Sequence, residues 1–469
     1  MRPLVDYSPS YTNLLGYPIS LIVELFGASS ATLILSHYWA LLGAACWLLS
    51  IGVIREVLRC RLVWAGVLAV VLLSITASGT NPIVSFPGGN SNIRISLSIL
   101  TFFCFLKALN RDKPALGRLL VLGVLSGLTV VNYAEFGLTA VVAMLSGICI
   151  WTLWGGLPKR VLLVLFVSVA ATTTILFFAI GGGNLMSTVS TYFLWSTSRS
   201  SGGYTQIVPL FGIHIVATVS HGLAAILGWR VVRKKESNQE MQLLGVFGLI
   251  SAIWGGLTLP FYLGSATPNF GGPLWLPLAF SLMSLIANSL SARNATPMGQ
   301  SYAPINRTQF QVSGINQVVT AFLVCALTAV PNVQITLDRW MDDHWSLDRA
   351  VGLEEDEVLQ AVKSRLQAST GSNAYAYYGE YANLFQLSLG IPAVYGTHDP
   401  MIAYTSRSTV KATRRTISSR RPLRVLASSR YLPEQFKRLG VLEGPCPGMR
   451  RVDSRDEDLL IEYVYKPSD

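Results

Sequence analysis

Long apolar stretches, each of about 17 to 25 residues, recur from Ala31 to about Val330 and constrain the fold more than any other feature of the chain. A helix of about 20 residues crosses the roughly 30 Å hydrocarbon core of a bilayer. Charged residues make up 13% of the chain, whereas about a quarter is usual in a soluble domain. The sequence therefore predicts an all-α polytopic membrane protein.

Ten transmembrane helices are predicted, and the cations between them indicate their orientation. The predicted spans are about 31–54, 62–78, 91–107, 117–132, 136–155, 161–181, 209–229, 243–263, 273–291 and 315–333. Fifteen Lys and Arg residues fall on alternate connections, and the other side receives only Arg2, Arg94 and Arg199. Because cytoplasmic loops carry the excess of Lys and Arg, we expect the amino terminus and the segment after about Pro331 to lie outside the cytoplasm.

The net charge of +11 belongs to the membrane part of the chain. Up to Thr336 there are 18 Lys and Arg against 7 Asp and Glu, and beyond that residue the counts are 18 and 18. The cations of the membrane part stand in short connections, where they orient helices. This distribution argues against nucleic acid as a partner and favours a multi-pass protein of the plasma (inner) membrane.

Three regions follow from this pattern. Residues 1–30 read as an extracytoplasmic loop in which Ile19–Gly27, too short to span, forms an interfacial helix. Residues 31–333 form the transmembrane helical domain. Residues 334–469 are predicted to form a small extracytoplasmic α/β domain. Its first predicted helix is "LEEDEVLQAVKSRLQAS", with acids at its start and bases near its end. The strand-like "AYAYY", "LRVLASS" and "LLIEYVYK" then alternate with the helix-like "GEYANLFQLSLG" and "YLPEQFKRLG".

Two acids on the outer side are candidate catalytic residues. Asp6 stands in the polar run "DYSPSYTN", and a carboxylate at the membrane surface can act as a general base on a hydroxyl; a solvated residue of an exposed tail is the alternative. Glu135, in "VVNYAEFGLT", lies at the predicted outer turn between two spans. An acid in an apolar setting is costly unless it faces a cavity or a partner, although an acid of an interfacial loop remains the alternative.

Two outer arginines are candidate ligands for a phosphate, because a guanidinium forms paired hydrogen bonds with phosphate oxygens. Arg94 lies in "GGNSNIRISLS" and Arg199 in "WSTSRSSGGY". For each, the alternative is a side chain that extends to the membrane interface.

Candidate substrate contacts also include His214, which shares a helix face with His221, and the outer aromatic residues. Buried, hydrogen-bonded histidines and interfacial aromatic anchors are the alternatives. No HExxH, CxxC or P-loop motif is present, so the sequence predicts no metal site. The outer aromatics are Tyr192, Phe193, Trp195 and Tyr204.

Three stretches together resemble the GT-C superfamily of integral-membrane glycosyltransferases. The family's first extracytoplasmic loop, with its catalytic acid and interfacial helix, is similar to "DYSPSYTNLLGYPISLIVELFG". The arginine-bearing start of a later span resembles "GGNSNIRISLSIL". The soluble domain of bacterial members resembles "AYAYYGEYANLFQLSLGIPAVY". The family's first helix normally precedes the catalytic Asp and is absent here, so we expect a missing first transmembrane helix.

The resemblance implies a sugar transfer from a polyprenyl-phosphate donor to a glycan, lipid or protein acceptor. Asp6 would act as the base, Arg94 or Arg199 would stabilise the departing phosphate, and Tyr192 or Trp195 would stack on sugar or isoprenoid. No cofactor beyond the lipid-linked donor is implied, and a divalent metal requirement stays open. The alternatives are an O-antigen ligase or polymerase, whose large outer loop is usually internal, and a transporter or structural membrane protein.

Overall fold

A computed structural model describes most of the predicted membrane region and five short segments of the carboxyl-terminal region. The described residues are 14–58, 60, 62–76, 91–110, 114–186, 188–190, 192–193, 213–234, 239–265, 272–294, 357–367, 375–378, 424–428, 449–452 and 460–465. Asp6, Trp195, Arg199, Tyr204 and the predicted span at 315–333 lie outside these residues, so their predicted roles stay predictions.

Apart from the helical residues 185–186, 188–190 and 192–193, nine helices lie in the described part of the membrane region, each at the place of a predicted span. They are α1 (Gly16–Leu58), α2 (Leu62–Thr76), α3 (Ser91–Leu109), α4 (Leu116–Asn132), α5 (Thr139–Ile150), α6 (Lys159–Ile180), α7 (Ile213–Arg233), α8 (Gln239–Ser265) and α9 (Gly272–Asn294). Two π-helical turns, π1 (Ala134–Leu138) and π2 (Trp151–Gly155), flank α5 without a break.

Five segments of the described helices are long and apolar enough to cross a membrane: Leu41–Leu58, Ala134–Gly155, Lys159–Ile180, His214–Arg233 and Gln239–Pro260. Shorter apolar helices at Leu116–Asn132 and Leu276–Asn288 accompany them. Side chains such as Phe166 and Ile175 on α6 are largely exposed although apolar, as expected of a surface that faces lipid. The prediction of a helical, multi-pass membrane protein is confirmed at this level.

Helix α1 is continuous from Gly16 to Leu58, whereas the sequence predicted an interfacial helix and a separate span. The segment between them, "ASSATL", contains no proline and therefore no obligatory break. The helix is nevertheless not straight, because the hydroxyl of Tyr38 donates to the carbonyl of Leu15 at 3.1 Å. A straight helix would place these residues about 35 Å apart, so the chain bends back between them and the two predicted arms persist as parts of one bent helix.

Close helix packing relies on small residues. A Cβ at Gly123 would lie 2.3 Å from the Cβ of Ser168, and one at Gly127 would lie 2.6 Å from the Cβ of Thr172. Because these glycines carry no side chain, α4 approaches α6 more closely than larger residues would allow. Small residues at helix contacts are the usual solution in membranes, where burial of apolar surface drives little association.

An aromatic group fills the centre between α3, α8 and α9. The ring centroid of Trp254 lies 4.9 Å from that of Phe102 and 6.0 Å from that of Phe280. Phe247 lies 5.5 Å from Phe280. All four side chains are buried, and the indole nitrogen of Trp254 reaches from this core to the candidate site described below.

The described part of the carboxyl-terminal region contains a helix and a four-stranded sheet. The elements are α10 (Glu357–Gln367), β1 (Tyr375–Tyr378), β2 (Arg424–Ser428), β3 (Met449–Val452) and β4 (Leu460–Tyr465). The strand order is β1-β2-β4-β3, with β1 and β2 parallel and the other pairs antiparallel. Strands β1, β2 and β4 lie where the sequence predicted strands, and α10 lies within "LEEDEVLQAVKSRLQAS", where the sequence predicted a helix. Strand β3 was not predicted, and the two other predicted helices of this region lie outside the described residues.

Candidate functional site

Glu135 lies in the π1 turn between α4 and α5, where the polypeptide reverses direction. Its side chain is 1% exposed, and Oε2 accepts a hydrogen bond of 2.9 Å from the hydroxyl of Tyr133. Tyr133 itself is extended, with φ −158°, and separates the two helices. A π-helical turn therefore lies where the sequence predicted a turn between two spans, and the acid has a buried partner rather than a solvated position. π-helical turns often mark functional sites.

Arg94, in the first turn of α3, approaches the same tyrosine from another direction. Its guanidinium carbon lies 5.4 Å from the centroid of the Tyr133 ring, within the range of a cation–π contact. Arg94 is 8% exposed, so it does not extend to solvent as an interfacial arginine would. The ring of Tyr133 also stacks on Phe136, with centroids 5.8 Å apart.

We call Arg94, Tyr133, Glu135 and Thr139 the outer cluster. Thr139 connects it to the aromatic core: its hydroxyl donates to the carbonyl of Glu135, and it accepts from the indole nitrogen of Trp254 at 3.2 Å. The hydroxyl of Ser98, on the following turn of α3, donates to the carbonyl of Phe136 at 3.4 Å. These contacts fix the backbone that carries the carboxyl group from two sides.

Gly137 makes the π1 turn possible at this position. A Cβ on Gly137 would lie 1.9 Å from the carbonyl oxygen of Thr129, so the turn packs directly on the backbone of α4. Within the turn, the amides of Gly137 and Leu138 both donate to the carbonyl of Tyr133, at 2.8 and 3.1 Å. A larger residue would move the turn away from α4 and move Glu135 with it.

The first described residues of the chain lie beside the outer cluster. The amide of Leu15 donates to Oδ1 of Asn132 at 3.1 Å, and Leu14 packs against a small apolar group formed by Val131, Ala134, Phe177 and Tyr192. Asn132 is fully buried at the end of α4. The described part of the chain therefore begins beside the end of α4 that adjoins Glu135.

Tyr192, a predicted substrate contact, is a packing residue of this apolar group. It is 3% exposed, its hydroxyl donates to the carbonyl of Val130, and its ring meets that of Phe177 edge to face at 5.0 Å. Burial, with a smaller contribution from Tyr133, raises the pKa of the Tyr192 phenol. Among the described residues, the ring of Tyr192 therefore packs inside this apolar group, and its predicted contact with substrate stays a prediction.

The two histidines of α7 occupy different environments. His221 is buried, and its Nδ1 lies 2.8 Å from Oγ of Ser281 on α9. The imidazole also lies where a Cβ of Gly255 would be, 2.1 Å from Nε2. The interpretation of His221 as a buried, hydrogen-bonded histidine is therefore confirmed. His214, a candidate substrate ligand, is half-buried in the first turn of α7 and accepts a bond from Thr218 at its carbonyl.

The outer cluster and the predicted cytoplasmic cations lie at opposite ends of the same helices. Arg94 lies in the first turn of α3 and Lys107 in its last turn. Arg118 lies in the first turn of α4, and Asn132 is its last residue. Each pair is about 20 Å apart along the axis. A cavity of about 660 Å³ lies at the Lys107–Arg118 end, away from the residues predicted to carry the chemistry.

Arg94 and Glu135, both predicted site residues, contact the same tyrosine, and their catalytic and binding roles stay predictions. The sequence did not predict the residues around them: Tyr133, which joins them, and Asn132 and Thr139 beside it. The available signal was the run "NYAEFGLT", in which three polar side chains interrupt two apolar spans. In the described residues no three His, Cys, Asp or Glu side chains come together as a metal site.

Comparison with known proteins adds no family assignment. No family model matches the sequence, and no curated protein matches it at a significant level.

Proposed function

We propose that this protein transfers a sugar from a polyprenyl-phosphate donor to an extracytoplasmic acceptor, in the manner of the GT-C glycosyltransferases that its sequence resembles. The observation that carries this proposal is the outer cluster, in which a buried carboxyl group and a buried guanidinium contact the same tyrosine at the predicted outer end of the bundle. Intramembrane ionisable residues are expensive to bury, which is why they usually mark substrate or ion sites.

The two charged groups suit the two halves of such a reaction. A lipid phosphate gains negative charge as the sugar departs, and a guanidinium such as Arg94 stabilises it by paired hydrogen bonds. A carboxylate removes the proton of the acceptor hydroxyl. Asp6 is the proposed base and Glu135 a second acid of the site. Asp6 is nine positions before Leu15, and nine extended residues reach about 30 Å, so the chain is long enough for Asp6 to lie at the cluster.

The test is sugar transfer from a polyprenyl-phosphate sugar in proteoliposomes. Loss of a general base typically lowers the rate by about 10²–10⁴, so Asp6→Asn should nearly abolish transfer. Arg94→Ala should mainly impair use of the donor, and Arg94→Lys should restore it in part, because an ammonium does not form the paired bonds of a guanidinium.

Glu240→Gln is the matched control, because Glu240 is an acid in the first turn of α8 at the predicted cytoplasmic side. It should leave transfer unchanged. Full transfer in Asp6→Asn with loss in Glu135→Gln would move the role of base to Glu135. Full transfer in all three outer variants would contradict the proposal.

A second candidate, a proton-coupled transporter, is favoured by one observation: Glu135 is buried within a helical interruption rather than on a regular helix. Interrupted helices and buried acids are typical of transporter sites. Proton flux in the same proteoliposomes distinguishes the two functions. Flux that is lost in Glu135→Gln, in a preparation with no sugar transfer, would favour the transporter.

A further inference from the structure

The cavity at the opposite end of the bundle is lined by charged, polar and apolar side chains. It holds about 660 Å³ between the ends of α1 and α3 and the start of α4, a volume within the usual range of ligand pockets. Its lining residues are Glu56, Cys104, Lys107, Ala108, Asn110, Gly117, Arg118 and Val121.

The charges of the cavity leave one cation uncompensated. Lys107 forms an ion pair with Glu56, so these two charges offset each other. Arg118 is exposed, and its side chain forms no hydrogen bond or ion pair with any residue that the structure describes. The described lining of the cavity therefore contains two cations and one carboxylate, and the guanidinium of Arg118 is available to an anion.

The start of α4 adds to this positive character. Ala115 provides no side-chain cap, and the first turn contains no acidic residue. The amino-terminal end of a helix carries a partial positive charge and orients amide groups towards anions. Gly117, in this first turn, has no atom within 4 Å of the position that its Cβ would take, so space beside the helix end is open.

An apolar stripe leads from the cavity along α4. Gly117, Val121 and Val124 follow one another at helical spacing on one face, and the side chains of Val121 and Val124 are 64% and 46% exposed. A polar cavity that continues into an exposed apolar stripe suits a molecule with an anionic head and an acyl chain. A soluble anion would use the cavity and leave the stripe bare.

We infer that this cavity binds the phosphate headgroup of an anionic membrane phospholipid, with one acyl chain along Val121 and Val124. Arg118 and the start of α4 contact the phosphate, and Lys107 lies at the edge of the site. The connections at this end of the bundle carry the excess of Lys and Arg, so the site is predicted to face the cytoplasmic leaflet. Basic pockets between helices on that side bind the headgroups of anionic lipids. The inference is independent of the sugar transfer proposed for the outer end.

The test measures lipid affinity of the delipidated full-length chain by native mass spectrometry, with phosphatidylglycerol and phosphatidylcholine of identical acyl chains. We expect tighter binding of phosphatidylglycerol. Arg118→Gln should weaken that binding about fivefold, the usual effect of one cation near an anionic lipid surface. Arg160→Gln is the matched control, because Arg160 is an exposed arginine in the uncapped first turn of α6, and it should leave the affinity unchanged.

Substitutions at Gly117 separate the charge of the site from its shape. Gly117→Glu puts a carboxylate into the open space and should abolish the preference for phosphatidylglycerol. It should not lower the unfolding temperature, because an acid in the first turn favours a helix. Gly117→Ala adds only a methyl group and should retain binding.

Three results would overturn the inference. Equal affinity for the two lipids would show that the cavity does not select an anionic headgroup. An equal loss of phosphatidylglycerol affinity in Arg118→Gln and Arg160→Gln would indicate a general electrostatic attraction between the lipid and the basic surface, and not a specific site. Displacement of phosphatidylglycerol by millimolar inorganic phosphate would show that a free phosphate, and not a lipid, is the ligand.

Discussion

Tyr133 joins the two charged groups of the outer end, and a single substitution separates its two contacts. Tyr133→Phe removes the hydroxyl that donates to Glu135 but keeps the ring beneath Arg94 and against Phe136. Removal of a donor from a buried acceptor costs about 1–3 kcal/mol, so the free energy of unfolding in detergent should fall by about that amount.

Tyr192→Phe is the control for this residue. It removes a hydroxyl of similar burial that donates to a backbone carbonyl, that of Val130, and not to a carboxyl group. We expect a loss of about 1 kcal/mol, as for an ordinary hydrogen bond, and no effect on sugar transfer. Transfer that falls in Tyr192→Phe but persists in Tyr133→Phe would contradict the assignment of the outer cluster as the site.

At the scale of elements, the contact between α7 and α8 depends on glycines. Helix α7 also contains a second glycine, Gly222, that is not tightly packed and can serve as a control. A Cβ on Gly228 would lie 2.4 Å from the carbonyl oxygen of Gly245, whereas one on Gly222 would have no atom within 4 Å. Gly228→Ala should therefore lower the free energy of unfolding by about 1–3 kcal/mol, the usual cost of overpacking. Gly222→Ala should raise it by about 0.5–1 kcal/mol, because alanine favours a helix over glycine.

Thermal unfolding of the two variants in the same detergent measures this difference. Equal stability of the two variants would mean that α7 and α8 can move apart at no energetic cost. The inference that Gly228 is required for their close packing would then be wrong. The comparison is clean, because both substitutions add one methyl group to the same helix.

For the whole molecule, the predicted topology can be tested at two cysteines. Cys60 lies in the connection between α1 and α2, on the predicted cytoplasmic side, and Cys446 lies in the predicted outer region. Variants that retain one of these cysteines should differ in intact cells: a membrane-impermeant maleimide should label Cys446 and not Cys60. Labelling of Cys60 from outside would invert the orientation and remove the basis of the proposed function.

Permeabilised cells give a second check on Cys60. Burial raises the pKa of its thiol, and nearby Arg55 opposes this only in part. The thiolate is the reactive form, and a raised pKa leaves less thiolate at any pH below it. Labelling of Cys60 should therefore increase up to a higher pH than labelling of a free cysteine peptide.

Local sequence was sufficient for the helices but not for the site. Apolar stretches of spanning length predicted all nine described membrane helices, because lipid requires each span to satisfy its own backbone hydrogen bonds. The contact of Leu15 with Tyr38 and the link from Arg94 through Tyr133 to Glu135 were not predicted. Both join residues that are distant in sequence, and no local pattern encodes such contacts.

The hydrogen bond from Leu15 to Asn132 has a consequence for the order of events during synthesis. The two residues are 117 positions apart, and a ribosome adds about 5–20 residues per second. The first arm of α1 therefore exists for roughly 6–23 s before its partner at the end of α4 has been made. Tyr38, by contrast, is made only 23 positions after Leu15, so the contact between these two residues can form well before the bond to Asn132. The end of the bundle that carries Glu135 is therefore completed late, after α4 has been synthesised.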